Sequence, residues 1–237
     1  MTAATASQAF VDAAAAMVQQ EDVAGTLNRL LADCAKFSAA NAVGLLVRNG
    51  QQQLELLSAT SHQAAELELY QLQHDTGPCV DAARDGVALS ATTDAEITER
   101  WGGVGEAIVA AGFHAVHAVP LRWHGRLIGA MNAFHTVPET ADEEARQLTQ
   151  AFADIAAVVI VQSAELTPGQ LDERIQAALA GRTVLEQAKG VLAQLAGVDM
   201  AAAYDLLVQR ATSEGSTLTE TAAGIVQEAG NRTGRPA

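Results

Sequence analysis

The chain has few basic residues, and this shortage restricts how it can bind nucleic acid. Only 14 lysines and arginines stand against 28 aspartates and glutamates in 237 residues, which gives a net charge of −14. Affinity for nucleic acid comes largely from cations that neutralise phosphates. A protein that binds nucleic acid over its whole surface is therefore excluded, and any such site must be a local patch.

Cysteines and long apolar runs are also scarce. Two cysteines, Cys34 and Cys79, cannot build a disulfide framework, as expected of a chain that folds in a reducing cytosol. No run of about 18 apolar residues is present, so we expect no membrane span. The first residues lack a basic segment followed by an apolar one, so we expect no secretory signal. These features predict a soluble, cytoplasmic protein.

The sequence motifs of common enzymes are missing too. No phosphate-cradling glycine loop, nucleophile elbow or metal-spaced cluster is found. His114 and His117 lie three apart in a predicted strand, where such residues face opposite sides, so we interpret them as structural. We therefore predict no catalysis, no metal and no cofactor. Cys79 follows a Gly-Pro pair at a predicted helix start, where a thiolate would be stabilised; redox sensing and burial are the two alternatives for it.

Residues 1–165 show the pattern of an α+β domain. Asn49-Gly50 and His124-Gly125 each lie between two apolar runs and predict hairpins whose turn residues both adopt positive φ. Helical spacing of apolar residues predicts the following helices: 3–20, 24–38, 62–73, 79–85, 95–111 and 140–164. With a brief strand at 87–91, this order predicts an antiparallel sheet covered by helices.

The pattern breaks at 166–169, where Pro168-Gly169 interrupts it, and three helices follow. The first runs from about 172 to 196 and ends at Gly197. Asp199 caps the second, and Ser216 or Thr217 caps the third. We therefore divide the chain into a domain at 1–165, a helical junction at 166–171, an all-α bundle at 172–230 and a flexible tail at 231–237.

The long helix before the junction carries a heptad seam. Its members alternate at spacings of four and three, and they are Leu148, Phe152, Ile155, Val159, Gln162 and Leu166. Such a seam either covers the chain's own sheet or pairs with a second copy. We expect a homodimer, and both uses are compatible with it.

Residues 20–164 resemble a GAF domain. The stretches that carry the resemblance are Thr76-Gly77-Pro78-Cys79, Gly112 to Leu121, and Gly125 to Asn132. It implies a six-stranded sheet with helices on its faces and, in many members, a pocket for a small-molecule ligand; other members only dimerise. If this domain has such a pocket, the candidate residues are Cys79, His117 and Met131.

Residues 170–229 resemble an ANTAR domain. The pattern is visible as Glu186-Gln187-Ala188-Lys189-Gly190, followed by Ala203-Tyr204 with Leu206-Leu207, Ala211, Leu218, Ala222 and Ile225-Val226. The resemblance implies a three-helix RNA-binding module of transcription antiterminators, which binds paired hairpins with six-nucleotide loops in leader transcripts. Two departures are alanine at 193 and 196 and a second helix whose one arginine is Arg210. The candidate RNA contacts are Lys189, Arg182, Gln187, Gly190, Tyr204 and Arg210.

The residues themselves are compatible with this role. Gly190 stands inside a predicted helix, where glycine costs about 1 kcal/mol relative to alanine, so we expect a backbone or a ligand to approach it closely. A helical wheel places Arg182 and Lys189 on the flank of an apolar arc formed by Val184, Leu185, Ala188, Val191, Leu192 and Leu195. An exposed Tyr204 ring could stack on an unpaired base.

Ordinary structural explanations stand beside these. Glu186 is four residues after Arg182 and three before Lys189, so the three can form an intrahelical ion-pair ladder. Tyr204 can be a partly buried core aromatic. We hypothesise a sensor whose signal moves the helices near 166–171 and so changes RNA engagement. The alternatives are a bundle that docks a protein partner and, third, a DNA-binding module.

Overall fold

The computed structural model describes residues 3–19, 22–138, 143–161 and 168–233. Its helices are α1 Ala6–Val18, α2 Val23–Phe37, α3 His62–His74, α4 Pro78–Asp85, α5 Asp94–Ala110, α6 Glu143–Val161, α7 Pro168–Ala196, α8 Met200–Glu214 and α9 Leu218–Thr233. Its strands are β1 Ala42–Arg48, β2 Leu54–Ala59, β3 Leu89–Ala91, β4 Ala115–Trp123 and β5 Arg126–His135.

The strands form one antiparallel sheet in the order β2-β1-β5-β4-β3. The predicted α+β class is confirmed. The described part of the chain has five strands in this sheet and not the six that the resemblance implied.

The two hairpins differ in their turns. In β4–β5, His124 and Gly125 both have positive φ, at 47° and 79°, as predicted. In β1–β2, positive φ occurs at Gln52 and not at the Asn-Gly pair, so that detail of the prediction is wrong. The reason is the Asn49 side chain, whose Oδ1 accepts hydrogen bonds from the backbone N–H groups of Gln51 and Gln53 and holds a wider loop.

Each face of the sheet has its own layer of helices. One face packs against α1, α2, α6 and α7, with Leu31, Phe152 and Ile160 fully buried between them. The other face packs against α3, α4 and α5 around residues such as Ile97, Phe134 and Cys79. Because every strand separates the two layers, neighbouring residues of a strand serve different cores.

The heptad seam of α6 covers the chain's own sheet. Phe152 and Val159 are fully buried, and the Phe152 ring lies 4.8 Å from that of Phe10 on α1. Leu148 and Ile155 keep part of their surface, while the seam's last two positions, 162 and 166, lie outside the described residues. The homodimer therefore stays a prediction, and the described seam offers it only two partly exposed residues.

Helices α7, α8 and α9 form the predicted bundle. Helix α7 begins at Pro168, earlier than the predicted 172, since proline is well tolerated in the first helical turn. Gly197 has a φ of 65° after the end of α7, and Asp199 caps α8 by accepting from the Ala202 N–H at 2.8 Å. Thr217, rather than Ser216, forms a capping box with Glu220 at the start of α9.

The bundle core consists of buried residues from all three helices: Leu185, Ala188, Leu207, Ala222 and Ile225. Ala24 of α2 also packs into this core, which joins the bundle to the sensor-like domain. Leu195 was expected on the packed arc of α7, but it is 62% exposed. Helix α8 leaves α7 at an angle of 104°, so the last turn of α7 extends past its neighbours.

Within the described ranges, no single helix has the length and apolarity needed to cross a membrane. Only when residues 175–196 of α7 are counted together with α8, across their 104° bend, does a pair reach the required length and composition.

Candidate functional site

Lys189 lies on α7 in a weak ion pair. Its Nζ is 2.9 Å from Oε1 of Glu186, with the Lys189 side chain 20% exposed and the Glu186 side chain 46% exposed. A pair three residues apart on a helix surface contributes only about 0.2–0.5 kcal/mol. The ion-pair interpretation is thus confirmed for these two residues, and so weak a pair leaves the ammonium available to a phosphate.

Arg182, one stretch earlier on α7, is half-buried and faces the sheet domain. Burial lowers the pKa of its guanidinium, while the carboxylates of Glu186 and of Glu55 on β2 act in the opposite direction. The attraction to Glu55 reaches across from the bundle to the sheet. Arg182 is therefore not simply one rung of a helical ladder, because part of its environment belongs to the other domain.

Gly190 is exposed, and the chain supplies no packing reason for it. A Cβ added at Gly190 would have no atom within 4 Å. By contrast, a Cβ on Gly181 of the same helix would lie 3.5 Å from the Cβ of Ala24. No backbone of the described chain approaches Gly190, so of the two expected explanations only an external ligand is left. Gln187, also exposed, lies on the same stretch of helix.

Tyr204 begins the first turns of α8 and is half-buried against α2. Burial raises the pKa of its hydroxyl, and a hydrogen bond with the Asn28 side chain opposes that rise. The expectation of an exposed ring is wrong for this arrangement, because α2 covers the ring. The ring is not part of the apolar bundle core either, since it lies at the boundary between the two domains.

Arg210 lies farther along α8 and is held by two carboxylates. Its guanidinium is 2.8 Å from Glu214 and 3.0 Å from Glu228 of α9. It does not line the cleft that contains Arg182, Lys189 and Tyr204. The structure thus brings three of the predicted RNA contacts together and leaves Arg210 outside, where it links α8 to α9.

The interdomain cleft, as we name the space between α7–α8 and the sheet domain, has a volume of about 760 Å³. The bundle contributes Arg182, Lys189 and Tyr204 to its wall. The sheet domain contributes residues of α2, β2 and the start of α3: Ala24, Leu27, Asn28, Ala32, Leu56, Leu57, Ser58, Ala59, Thr60, Ser61, His62 and Ala65.

The three residues predicted for a pocket in the sheet domain do not meet. Cys79 packs on the α3–α4 face beside Ala118 and Ala130, whereas Met131 packs on the opposite face, 3.7 Å from the sulfur of Cys34. Strand alternation places His117 on the Met131 side, where burial lowers its pKa to about 4. The prediction of one pocket from these residues is wrong, because it ignored which face each residue occupies.

A buried polar cluster around Cys79 was missed. Asn132 Nδ2 donates to Glu68 Oε1 at 3.2 Å, and Gln71 Oε1 accepts from the backbone N–H of Cys79 at 3.0 Å. Three of its atoms have no partner: Glu68 Oε2, Gln71 Nε2 and Asn132 Oδ1. The sequence held a signal, because Ala64, Leu67, Glu68 and Gln71 share the spacing of a buried helical stripe.

The cluster changes the chemistry expected of Cys79. Burial, and then the neighbouring Glu68 carboxylate, raise the pKa of the Cys79 thiol well above its usual value. A thiolate stabilised at the helix start is therefore the wrong interpretation, and this thiol stays protonated. Burial also raises the pKa of Glu68 to about 7.

The histidines are held by different partners. His114 Nδ1 is 2.7 Å from Asp94, and His117 Nδ1 is 2.7 Å from the Ser90 hydroxyl. Among residues 3–19, 22–138, 143–161 and 168–233, no group of three or more His, Cys, Asp or Glu side chains could hold a metal ion.

Comparison with known families assigns both halves. Residues 22–160 match the GAF domain, and residues 173–226 match the ANTAR domain. No curated protein matches the chain significantly.

Among solved structures, the phycocyanobilin-bound GAF domain from a cyanobacterial phytochrome is similar, with 13% identity and a TM-score of 0.51, covering 68% of this chain and 97% of that one. The phycoerythrobilin-bound GAF domain from a cyanobacterial phytochrome has 13% identity and a TM-score of 0.50, covering 68% and 96%. At such low identity these likenesses show the fold alone.

Proposed function

The chain belongs to the GAF family and also carries an ANTAR domain, and on this basis we propose that it is a signal-responsive RNA-binding regulator of transcription antitermination. GAF domains are signal sensors and ANTAR domains are RNA-binding antiterminator modules. The finer assignment, hairpin loops in leader transcripts as the target, rests on one observation above all. Gly190 adjoins Lys189 on an exposed helical surface that no other part of the described chain approaches.

The proposed RNA contacts have distinct roles. Lys189 exchanges its weak pair with Glu186 for a phosphate, and the absent side chain of Gly190 lets the RNA backbone come close to α7. Arg182 adds a second cation, Gln187 offers an amide to a base or sugar, and Tyr204 stacks on an unpaired loop base once α2 no longer covers it. Arg210 holds α9 against α8.

Paired hairpins favour two copies of the bundle. A homodimer presents two tethered sites, and the second hairpin then binds at a raised effective concentration, provided that the geometry allows both to engage. We propose that the GAF domain dimerises, takes up a small signalling molecule, or both. We also propose that the protein works in the cytoplasm without catalysis, because its sequence has no recognisable enzyme motif.

RNA binding is tested with a pool of tandem hairpins whose six-nucleotide loops are randomised. The full-length protein should enrich specific loops, and transcripts recovered from cells should contain such hairpins in tandem. Binding should weaken steeply with salt, because each neutralised phosphate adds about 0.7–0.9 to the slope of log K against log salt. Absence of enrichment, or tighter binding of duplex DNA, would overturn the proposal.

A protein-docking bundle is the second candidate. Leu195 is 62% exposed and Leu206 is 37% exposed, and apolar side chains on a bundle surface suit a protein partner. Substituting both leucines with serine should abolish such docking and leave hairpin binding intact, so the two functions are separable on one protein.

A further inference from the structure

We propose that α2 is an autoinhibitory latch that holds the RNA-reading face of the bundle against the GAF domain. This inference rests on the proposed function, because it concerns access to the same face. Arg182, Lys189 and Tyr204 all line the interdomain cleft rather than open solvent. In this closed arrangement the side chains proposed to read RNA already face protein.

Three contacts form the latch, and all come from the first half of α2. The Thr219 hydroxyl of α9 donates to Asp22 Oδ1 at 2.6 Å, while the other oxygen of Asp22 caps α2 by accepting from the Gly25 N–H at 2.8 Å. Ala24 packs into the bundle core. Asn28 hydrogen-bonds the Tyr204 hydroxyl, and Asn28 is itself fixed by Ser58 at 2.5 Å.

The cleft is too small for the proposed ligand. At about 760 Å³ it falls within the roughly 300–1,000 Å³ of pockets that hold drug-sized molecules. A folded hairpin cannot enter such a space, so α7 and α8 must move away from β2 and α3 before a loop reaches Tyr204.

The interface is built to separate. A second cleft, of about 640 Å³, lies between α2 and the α8–α9 turn on the other side of Asn28 and Tyr204. The Asn28–Tyr204 contact is therefore a narrow bridge between two open spaces. Little apolar contact is lost when it breaks, so a modest input from the GAF domain can shift the balance from closed to open.

A disulfide across the interface tests the latch directly. A Cβ at Gly181 would lie 3.5 Å from the Cβ of Ala24, within the range of about 3.5–4.5 Å found in disulfides. The full chain carrying Ala24→Cys and Gly181→Cys should close this bond under mild oxidant, since native Cys34 and Cys79 are both buried. The oxidised protein should lose at least tenfold in affinity for the tandem-hairpin RNA, and reductant should restore it.

The controls separate the latch from RNA binding itself. Each single cysteine variant should bind RNA equally with and without oxidant. If the bonded double variant binds as tightly as the reduced one, or if the bond never forms, the latch is wrong although RNA binding stands. If RNA binds to no form, including the reduced double variant, the RNA function has failed instead.

Loosening the latch gives the opposite sign. Thr219→Val keeps the shape of the side chain but removes the hydrogen bond to Asp22, and Thr219 is none of the proposed RNA contacts. RNA affinity should rise roughly three- to tenfold, because one hydrogen bond shifts the open population by about that factor and apparent affinity follows that population. Unchanged or weaker binding by a folded Thr219→Val protein would contradict the latch.

Discussion

Replacing Gly190 with alanine should make the protein more stable and its RNA binding weaker. In the free protein the new methyl group meets no atom within 4 Å, so no clash offsets the gain in helix propensity. That gain is about 0.8–1.0 kcal/mol for an exposed helix interior. For a chain of this size it corresponds to a rise in Tm of about 2–4 °C, if the bundle unfolds together with the rest.

The same methyl group would fill the space that the RNA backbone needs. Forcing an extra carbon into a closely packed contact costs about 1–3 kcal/mol, so RNA affinity should fall roughly tenfold or more. The assay pairs thermal unfolding with binding of the selected tandem-hairpin RNA. Gly224→Ala is the matched control, because a Cβ at Gly224, inside α9, also has nothing within 4 Å. It should stabilise the protein similarly and leave RNA binding unchanged.

Two results would refute the reasoning about Gly190. If Gly190→Ala stabilises the protein and binds RNA as before, no ligand approaches that stretch of α7. If the substitution destabilises the protein, the glycine has a structural reason that its open surroundings do not reveal.

Three further predictions follow from single groups. Lys189→Ala should weaken RNA binding at low salt and reduce the salt slope by about one phosphate while the circular dichroism stays unchanged, whereas Arg84→Ala on α4 should alter neither. Glu68 has a pKa of about 7 against 4.5 for an ordinary glutamate, so its burial destabilises the fold progressively as pH rises from about 4.5 to 7; Glu68→Gln should therefore gain up to about 3 kcal/mol over wild type in urea unfolding at pH 8, a gain that vanishes at pH 4. Thr217→Ala should lower stability by about 1 kcal/mol through loss of the α9 cap, and an unchanged urea midpoint would contradict that role.

Features set by neighbouring residues could be predicted from the sequence. Asp199 and Thr217 were identified as caps because a side-chain oxygen followed by a helical pattern has a local meaning. The β4–β5 turn at His124-Gly125 was likewise recognisable from two residues. The β1–β2 turn was not, since the Asn49 side chain competes for backbone N–H groups and the pattern does not reveal which interaction dominates.

Features set by distant residues could not be predicted in the same way. Cys79 and Met131 each belong to a buried core, but only the packed helices show that these are different cores. Tyr204 was expected in solvent because nothing within its own domain covers it. Its covering residue, Asn28, lies 176 positions earlier in the chain, and the interdomain contact was not part of either domain's pattern.

The expensive features of the bundle lie on one side of α7. An interior glycine weakens the helix, and a half-buried arginine pays for desolvation with only partial compensation from Glu55 and Glu186. A helix with a purely structural role would be more stable with alanine at Gly190 and with an apolar residue at Arg182. Such departures from local preference are expected where binding, rather than folding, sets the residue. Because both departures adjoin Lys189 and the interdomain cleft, they identify the face on which the GAF domain and an RNA ligand would compete.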